Sequence, residues 1–174
     1  MIEYPTYKKV LFCTDFSENA DYAFGFAFGV AKRDGSLLYV LHVKDDSAYQ
    51  AYLEGAGDGS YPEITEAMKE AAEKELEKNF QDHYAKDIKN VSYEIVTRSG
   101  RAYHETIKFV EENDVDLIVI GTHGRTGLKH TLFGSVAEMI IRHSPVPVFV
   151  IPPKEKIYFT KPDDEIYTKT PSPM

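Results

Sequence analysis

A doubly wound α/β fold, five mostly parallel strands in the order 3-2-1-4-5 with helices on both faces, is predicted by three features of the sequence. Short apolar runs alternate with amphipathic helical stretches, giving four strand-helix units and a closing strand. The runs Leu37 to Val43 and Leu117 to Ile120 are apolar almost without interruption, as strands covered on both faces are. The third and fifth runs carry edge marks: Val91, Tyr93 and Ile95 alternate with Ser92 and Glu94, and Pro147 lacks a ladder donor. Right-handed crossovers then place helices on both faces, and two edges at runs three and five leave 3-2-1-4-5 as the natural order.

Each element has its own warrant. Lys8 to Cys13 is a short apolar strand, and Phe16 to Arg33 follows with Ala20, Ala23, Phe24, Ala27, Phe28 and Ala31 at helical spacing and Ser17 placed to cap them. Leu37 to Val43 is the second strand. A loop rich in Gly, Tyr and Asp runs from about Asp45 to Tyr61, readable as a lid over a ligand or as a plain connection. Beyond Pro62 comes a long amphipathic helix with Ile64, Ala67, Met68, Ala71, Ala72, Leu76 and Phe80 as its buried stripe and Glu and Lys on a solvated face. Val91 to Val96 is an edge strand, Gly100 closes the next loop, and Ala102 to Asn113 is a helix with Tyr103, Ile107 and Val110 as core candidates. The strand Leu117 to Ile120, a helix from Ser135 to His143 and the strand Pro145 to Ile151 complete the series. His143 is placed to complement its helix dipole.

The 174 residues fit one domain, 1–151, with a tail at 152–174, and 43% hydrophobic residues suffice for a core. A formal charge of -8 with no basic stripe argues against nucleic acid as a partner. A single cysteine, Cys13, rules out an internal disulfide framework, and its expected role is that of a small buried hydrophobe. The N-terminus lacks the marks of a signal peptide, and no apolar run approaches the roughly 20 residues of a membrane span, so the expected location is the cytoplasm.

The strand order reverses between strands one and four, so a ligand is expected where the loops after Cys13 and after Ile120 diverge. The second loop reads Gly121-Thr-His-Gly124, nine residues, then Gly134-Ser135. Glycines at the end of a buried strand let backbone approach an anion, and Gly134-Ser135 opens a helix whose first N–H groups lack intrahelical partners. The spacing is neither the Walker pattern nor the G-x-G-x-x-G dinucleotide fingerprint. In a plainer reading Gly121, Gly124 and Gly127 serve turns and Gly134 merely begins a helix. The first loop carries Asp15, either a ligand contact or a turn and capping residue. His123 can bond a phosphate or brace the loop; Arg125, Lys129 and His130 can neutralise phosphate charge or stand in solvent. His42, inside an apolar strand, reads as a satisfied core or near-ligand histidine rather than a catalytic one.

The chain resembles the universal stress protein family, and within it the ATP-binding branch, from residue 8 to 151. The resemblance is carried by Val10-Leu-Phe-Cys-Thr-Asp-Phe-Ser17, Leu41-His-Val43, Asp116 to Gly127, Phe133-Gly-Ser-Val-Ala-Glu138 and His143-Ser-Pro-Val-Pro-Val148. It implies a Rossmann-like five-stranded sheet and, through the complete G-x2-G-x9-G-S motif, ATP with Mg2+ or Mn2+ held mainly by the phosphates. Asp15 and the backbone of Val43 would hold the ribose and adenine end; Gly121, Gly124, Gly134, Ser135 and Val136 would surround the phosphates, with Thr14, Thr122, His123 and Arg125 completing the site. Cys13 departs from the proline common in the family. The resemblance also implies a homodimer through the last strand, Val146 to Ile151.

No residue offers itself as catalytic, because the segment from Gly121 to Ser135 contains no carboxylate to activate water. The leading expectation is a nucleotide-dependent regulatory switch in stress response: ATP binds, loop 121 to 134 orders, and a surface changes its affinity for an unknown protein partner. A slow ATPase or phosphotransferring enzyme, and a dimeric scaffold with an unused site, are the alternatives. The proline-rich tail carries Ile157-Tyr-Phe159 and Ile166-Tyr167, suited either to an arm across a dimer or to a disordered end.

Overall fold

The computed structural model describes residues 4–44, 66–85, 88–122 and 133–154. Its elements are β1 (Lys9–Cys13), α1 (Glu18–Asp34), β2 (Leu37–Lys44), α2 (Glu66–His83), β3 (Ser92–Ser99), α3 (Ala102–Glu112), β4 (Leu117–Gly121), α4 (Ser135–His143) and β5 (Val148–Ile151). The sheet order is β3-β2-β1-β4-β5 and every pairing is parallel. Both the order and the two edges are those the sequence predicts. Among the described residues no helix is long and apolar enough to cross a membrane.

Strand β1 lies at the centre because it is apolar on both faces. Val10 and Phe12 enter one core with Ala20, Ala23, Phe24 and Ala27 of α1 and Phe80 of α2. Leu11 enters the other with Phe109 and Val110 of α3 and Ala137 and Ile140 of α4. Alternation along a single strand thus supplies two cores. The alanines of α1 let that helix lie close on β1 and β4, and the helix is bounded as predicted. Ser17 Oγ accepts from the Ala20 amide at 3.3 Å, and Gly35 closes the far end with a φ of 68°, a left-handed cap that favours glycine.

At the amino end of the sheet the Asp116 carboxylate accepts the amides of Lys8 and Lys9, at 2.8 and 3.3 Å. The Ser36 hydroxyl donates to the Tyr7 carbonyl at 2.6 Å. These bonds tie together the segments that lead into β1, β2 and β4.

Several expectations are corrected. Ala71 of α2 is exposed, while Leu76 and Phe80 of the same helix reach the core. Ile64 lies outside the described residues, as do the loop 45–61 and the tail from 155. On α3 the buried face is Thr106, Phe109 and Val110, while Ile107 is half-buried. Thr106 escapes an apolar count because its hydroxyl donates to the Ala102 carbonyl at 2.7 Å, a satisfied polar group under cover. Strand β3 runs three residues past Val96, to Ser99, because β2 offers it partners as far as Lys44. Strand β5 starts at Val148, yet the carbonyl of Pro147 still accepts the Ile118 amide at 3.0 Å.

Candidate functional site

The first loop of the site is folded by Thr14. Its amide donates to the Leu41 carbonyl at 2.9 Å, extending the β1–β2 ladder by one residue. Its own carbonyl lies 2.8 Å from His42 Nδ1, and since a carbonyl only accepts, Nδ1 carries the proton. Its hydroxyl accepts the Phe16 amide at 3.0 Å and shares a 2.8 Å hydrogen bond with the hydroxyl of Tyr84. Thr14 is therefore buried with each of these polar groups engaged.

Asp15 follows, with Oδ1 accepting the Ser17 amide at 3.1 Å. The turn role foreseen for this carboxylate is thus present, and it leaves a ligand role compatible, since a carboxylate offers about four lone-pair positions. Phe16 then takes a φ of 58°, unusual for an aromatic residue, and such a conformation costs roughly 1–3 kcal/mol unless its surroundings hold it. They do: its ring sits 5.1 Å from His42, 5.5 Å from His83 and 5.9 Å, stacked, from Tyr84.

The second side of the site forms where β4 ends. Gly121 is paired with Ile151, and the buried Thr122 donates its amide to the Ile151 carbonyl at 2.9 Å. The Thr122 carbonyl accepts the Gly134 amide at 2.7 Å, so the chain leaves at Thr122 and is back within one hydrogen bond at Gly134. Gly134 is the cap of α4, with φ -69° and ψ 158° and no side chain to bond the first turn. The first intrahelical bond runs from the Glu138 amide to the Gly134 carbonyl at 3.0 Å, so the amides of Ser135, Val136 and Ala137 precede it. Ser135 and Val136 are exposed.

Cys13 of β1 is in register with Leu41 of β2 and Ile120 of β4, so Thr14 and Asp15 stand beside Gly121 and Thr122 across the reversal of strand order. Val43, half-buried near the end of β2, is one strand further along. His123, Gly124 and Arg125 lie outside the described residues, with Gly127, Lys129 and His130. Cys13 is only half-buried as a residue, against the expectation of a buried one. Its thiol is nonetheless pushed up to about 12 by burial, an effect the Thr106 hydroxyl at 4.0 Å slightly offsets. It stays protonated and unreactive near neutral pH. Among the described residues no three His, Cys, Asp or Glu side chains are grouped to hold a metal ion.

Sequence reading missed Tyr84, Phe16 and His83 as parts of this end of the sheet. Tyr84 continues the stripe Leu76, Phe80 at four-residue spacing, a signal for burial that says nothing of its hydroxyl.

An aspartate loop on one strand and a glycine-opened helix on the next, meeting where the strand order reverses, define an α/β protein of the class that seats its ligand at a topological switch point. The chain belongs to the Universal stress protein family, which it matches over residues 6–152. It is 34% identical over 156 residues to Universal stress protein MJ0577 of Methanocaldococcus jannaschii, covering 83% of this chain and 94% of that one. The solved structure of MJ0577 superposes with a TM-score of 0.68 at 29% identity, covering 87% of this chain and all 100% of the other. Universal stress protein UspA from Lactobacillus plantarum gives a TM-score of 0.69 at 25% identity, covering 85% and 99%. The universal stress protein from Archaeoglobus fulgidus in complex with dAMP gives 0.54 at 22% identity, covering 83% and 96%, a likeness of fold.

Proposed function

We propose that this protein binds ATP at the switch point and acts as a nucleotide-dependent regulatory switch in stress response, with slow or no hydrolysis. The carrying observation is the hydrogen bond from the Gly134 amide to the Thr122 carbonyl. It sets the uncapped start of α4 against the end of β4, at the same end of the sheet as the Asp15 loop, an arrangement that supports donors for phosphate on one side and an acceptor for a ribose hydroxyl on the other. A helix start without a side-chain cap is suited to an anion, worth typically 0.3–1 kcal/mol from the dipole alone and more through charge-assisted bonds.

In this reading the amides of Ser135 and Val136 and the Ser135 hydroxyl take phosphate, with Gly121 and Gly134 allowing close approach. Asp15 and the Val43 backbone take the nucleoside. Thr122, His123, Gly124 and Arg125 complete the phosphate side and Thr14 shapes the other. Mg2+ or Mn2+ is held mainly by phosphate oxygens and supplies charge neutralisation. The dAMP complex of the Archaeoglobus fulgidus relative agrees with an adenine nucleotide as the occupant. The test is to denature freshly purified protein, identify any released nucleotide, and titrate nucleotide-free protein with Mg-ATP. Saturable binding is expected, with product formation far below one turnover per second; absence of both release and binding sinks the reading.

The domain of this proposal is 1–151, with 152–174 as a tail or a dimer-embracing arm, and its working form is a homodimer paired through the last strand, with a protein partner reading the nucleotide state. The carbonyls of Pro147 and Ile151 both point to β4, so alternation turns the amides of Val148 and Val150 to the open edge. Val150→Pro removes one edge donor per protomer and no β4 bond. With two equivalent bonds lost across a two-fold interface, the dimer dissociation constant is expected to rise at least about tenfold, read by sedimentation. A dimer of unchanged strength would place the interface elsewhere.

A further inference from the structure

We infer that Tyr84, at the end of α2, is a positioning residue for the ligand loop Thr14 to Ser17: its hydroxyl holds the loop that presents Asp15, tying nucleotide binding to helix α2. The inference rests on the nucleotide reading above and extends it to a residue 70 positions away from Thr14.

The ring of Tyr84 is among the largest fully buried side chains of the described residues. It stacks on Phe24 at 4.3 Å and Phe16 at 5.9 Å and meets Phe12 and Phe80 edge-on at 5.7 and 5.9 Å. Apolar contacts on this scale account for the ring but not for the hydroxyl. A phenol taken into such a core is costly unless paired, and burial pushes this one far above its ordinary pKa, so it is a neutral hydrogen-bonding group at all working pH values.

The Asp21 side chain at the start of α1 is one partner of the hydroxyl. The other is the Thr14 hydroxyl at 2.8 Å, which in turn accepts the Phe16 amide at 3.0 Å. That relay spans both sides of Asp15. It fixes the residue before the carboxylate through its side chain and the strained residue after it through its amide. A second fastener lies alongside: His83 Nδ1 is 2.9 Å from the Asp21 carboxylate in the first turn of α1. The C-terminal end of α2 is therefore pinned to the loop and to the start of α1 together. Binding that draws on Asp15 and the position of α2 are coupled, and the coupling acts in both directions.

Tyr84→Phe keeps the ring and removes the hydroxyl. Phe80→Leu disturbs the same core beside the ring and leaves the hydroxyl. Affinity for Mg-ATP by titration, thermal midpoint, and hydrogen exchange at the Phe16 and Ser17 amides are to be measured on the full chain and both variants. Tyr84→Phe is expected to weaken Mg-ATP binding several-fold, with about tenfold, the worth of one buried hydrogen bond, as the ceiling, and to speed exchange at Phe16 in the free protein. Phe80→Leu is expected to lower the midpoint and leave the affinity as in the wild type. Wild-type affinity in Tyr84→Phe overturns the inference and leaves the nucleotide reading standing, as does loss of affinity in both variants in step with their loss of stability. If the wild type itself binds no Mg-ATP, the nucleotide reading falls. Exchange at Phe16 then decides alone whether Tyr84 holds the loop, and unchanged exchange overturns it.

Discussion

Gly134→Asp is expected to keep the fold and lose the nucleotide, with stability and affinity moving in opposite directions. The backbone at this position, φ -69° and ψ 158°, is ordinary extended conformation that aspartate adopts without strain. Aspartate is also among the preferred residues at a helix start, where its carboxylate accepts an amide of the first turn. The helix α4 gains the side-chain cap it lacks, so the ligand-free midpoint should stay level or rise slightly, by the few tenths of a kcal/mol that separate such caps from glycine. The same carboxylate stands where the phosphates are proposed to bind. Two like charges about 4 Å apart at an effective dielectric of about 20 repel by about 4 kcal/mol, so Mg-ATP affinity should drop by at least about a hundredfold. Gly134→Asn, equal in shape and cap but neutral, should lose about tenfold or less, from competition for the same amides. An aspartate variant that binds as the wild type does would put the anion elsewhere and remove the basis of the proposed site.

How much of this was legible in the sequence differs from element to element, for physical reasons. The strand order followed from apolar runs covered on both faces and from two edges marked by alternation and by Pro147. Those are properties of single segments. Ser17 and the alanine spacing of α1 likewise act within a few residues of one another, and both are as expected. What stayed hidden was decided by partners far along the chain. The last residues of β3, Thr97 to Ser99, are polar or charged and join the sheet because His42, Val43 and Lys44 lie opposite. The burial of Thr106 depends on a bond to its own helix, and the meaning of Tyr84 on a hydroxyl 70 residues distant. In the site, glycine spacing identified Gly121 and Gly134, but the bond that brings the two ends together belongs to Thr122. For Asp15 the turn is now visible, at 3.1 Å to the Ser17 amide, beside the proposed ligand role.

Phe12→Ala should cost about 3–5 kcal/mol of folding stability, a large share of the roughly 5–15 kcal/mol that separates a domain of this kind from its unfolded chain. Phe12 is 0% exposed on the central strand, so no neighbour can relax into the space from solvent. Its ring is packed edge-on against Phe24 of α1 at 5.5 Å and against Tyr84 at 5.7 Å, and removal leaves both without a partner on that side. Chemical denaturation should show the midpoint falling with an unchanged slope, since the same surface is exposed on unfolding. The control is Phe26→Ala on the outward flank of α1, 44% exposed and in contact with Tyr22 at 5.4 Å, where a loss of about 1 kcal/mol or less is expected. Along β1 the side chains of Phe12 and Thr14 share a face, and both meet Tyr84. The folded fraction of Phe12→Ala should nevertheless bind Mg-ATP as the wild type does, because the Tyr84 hydroxyl that holds the loop is unchanged. Weakened binding in the folded fraction would mean that the ring of Tyr84, backed by Phe12, positions the loop as well as its hydroxyl.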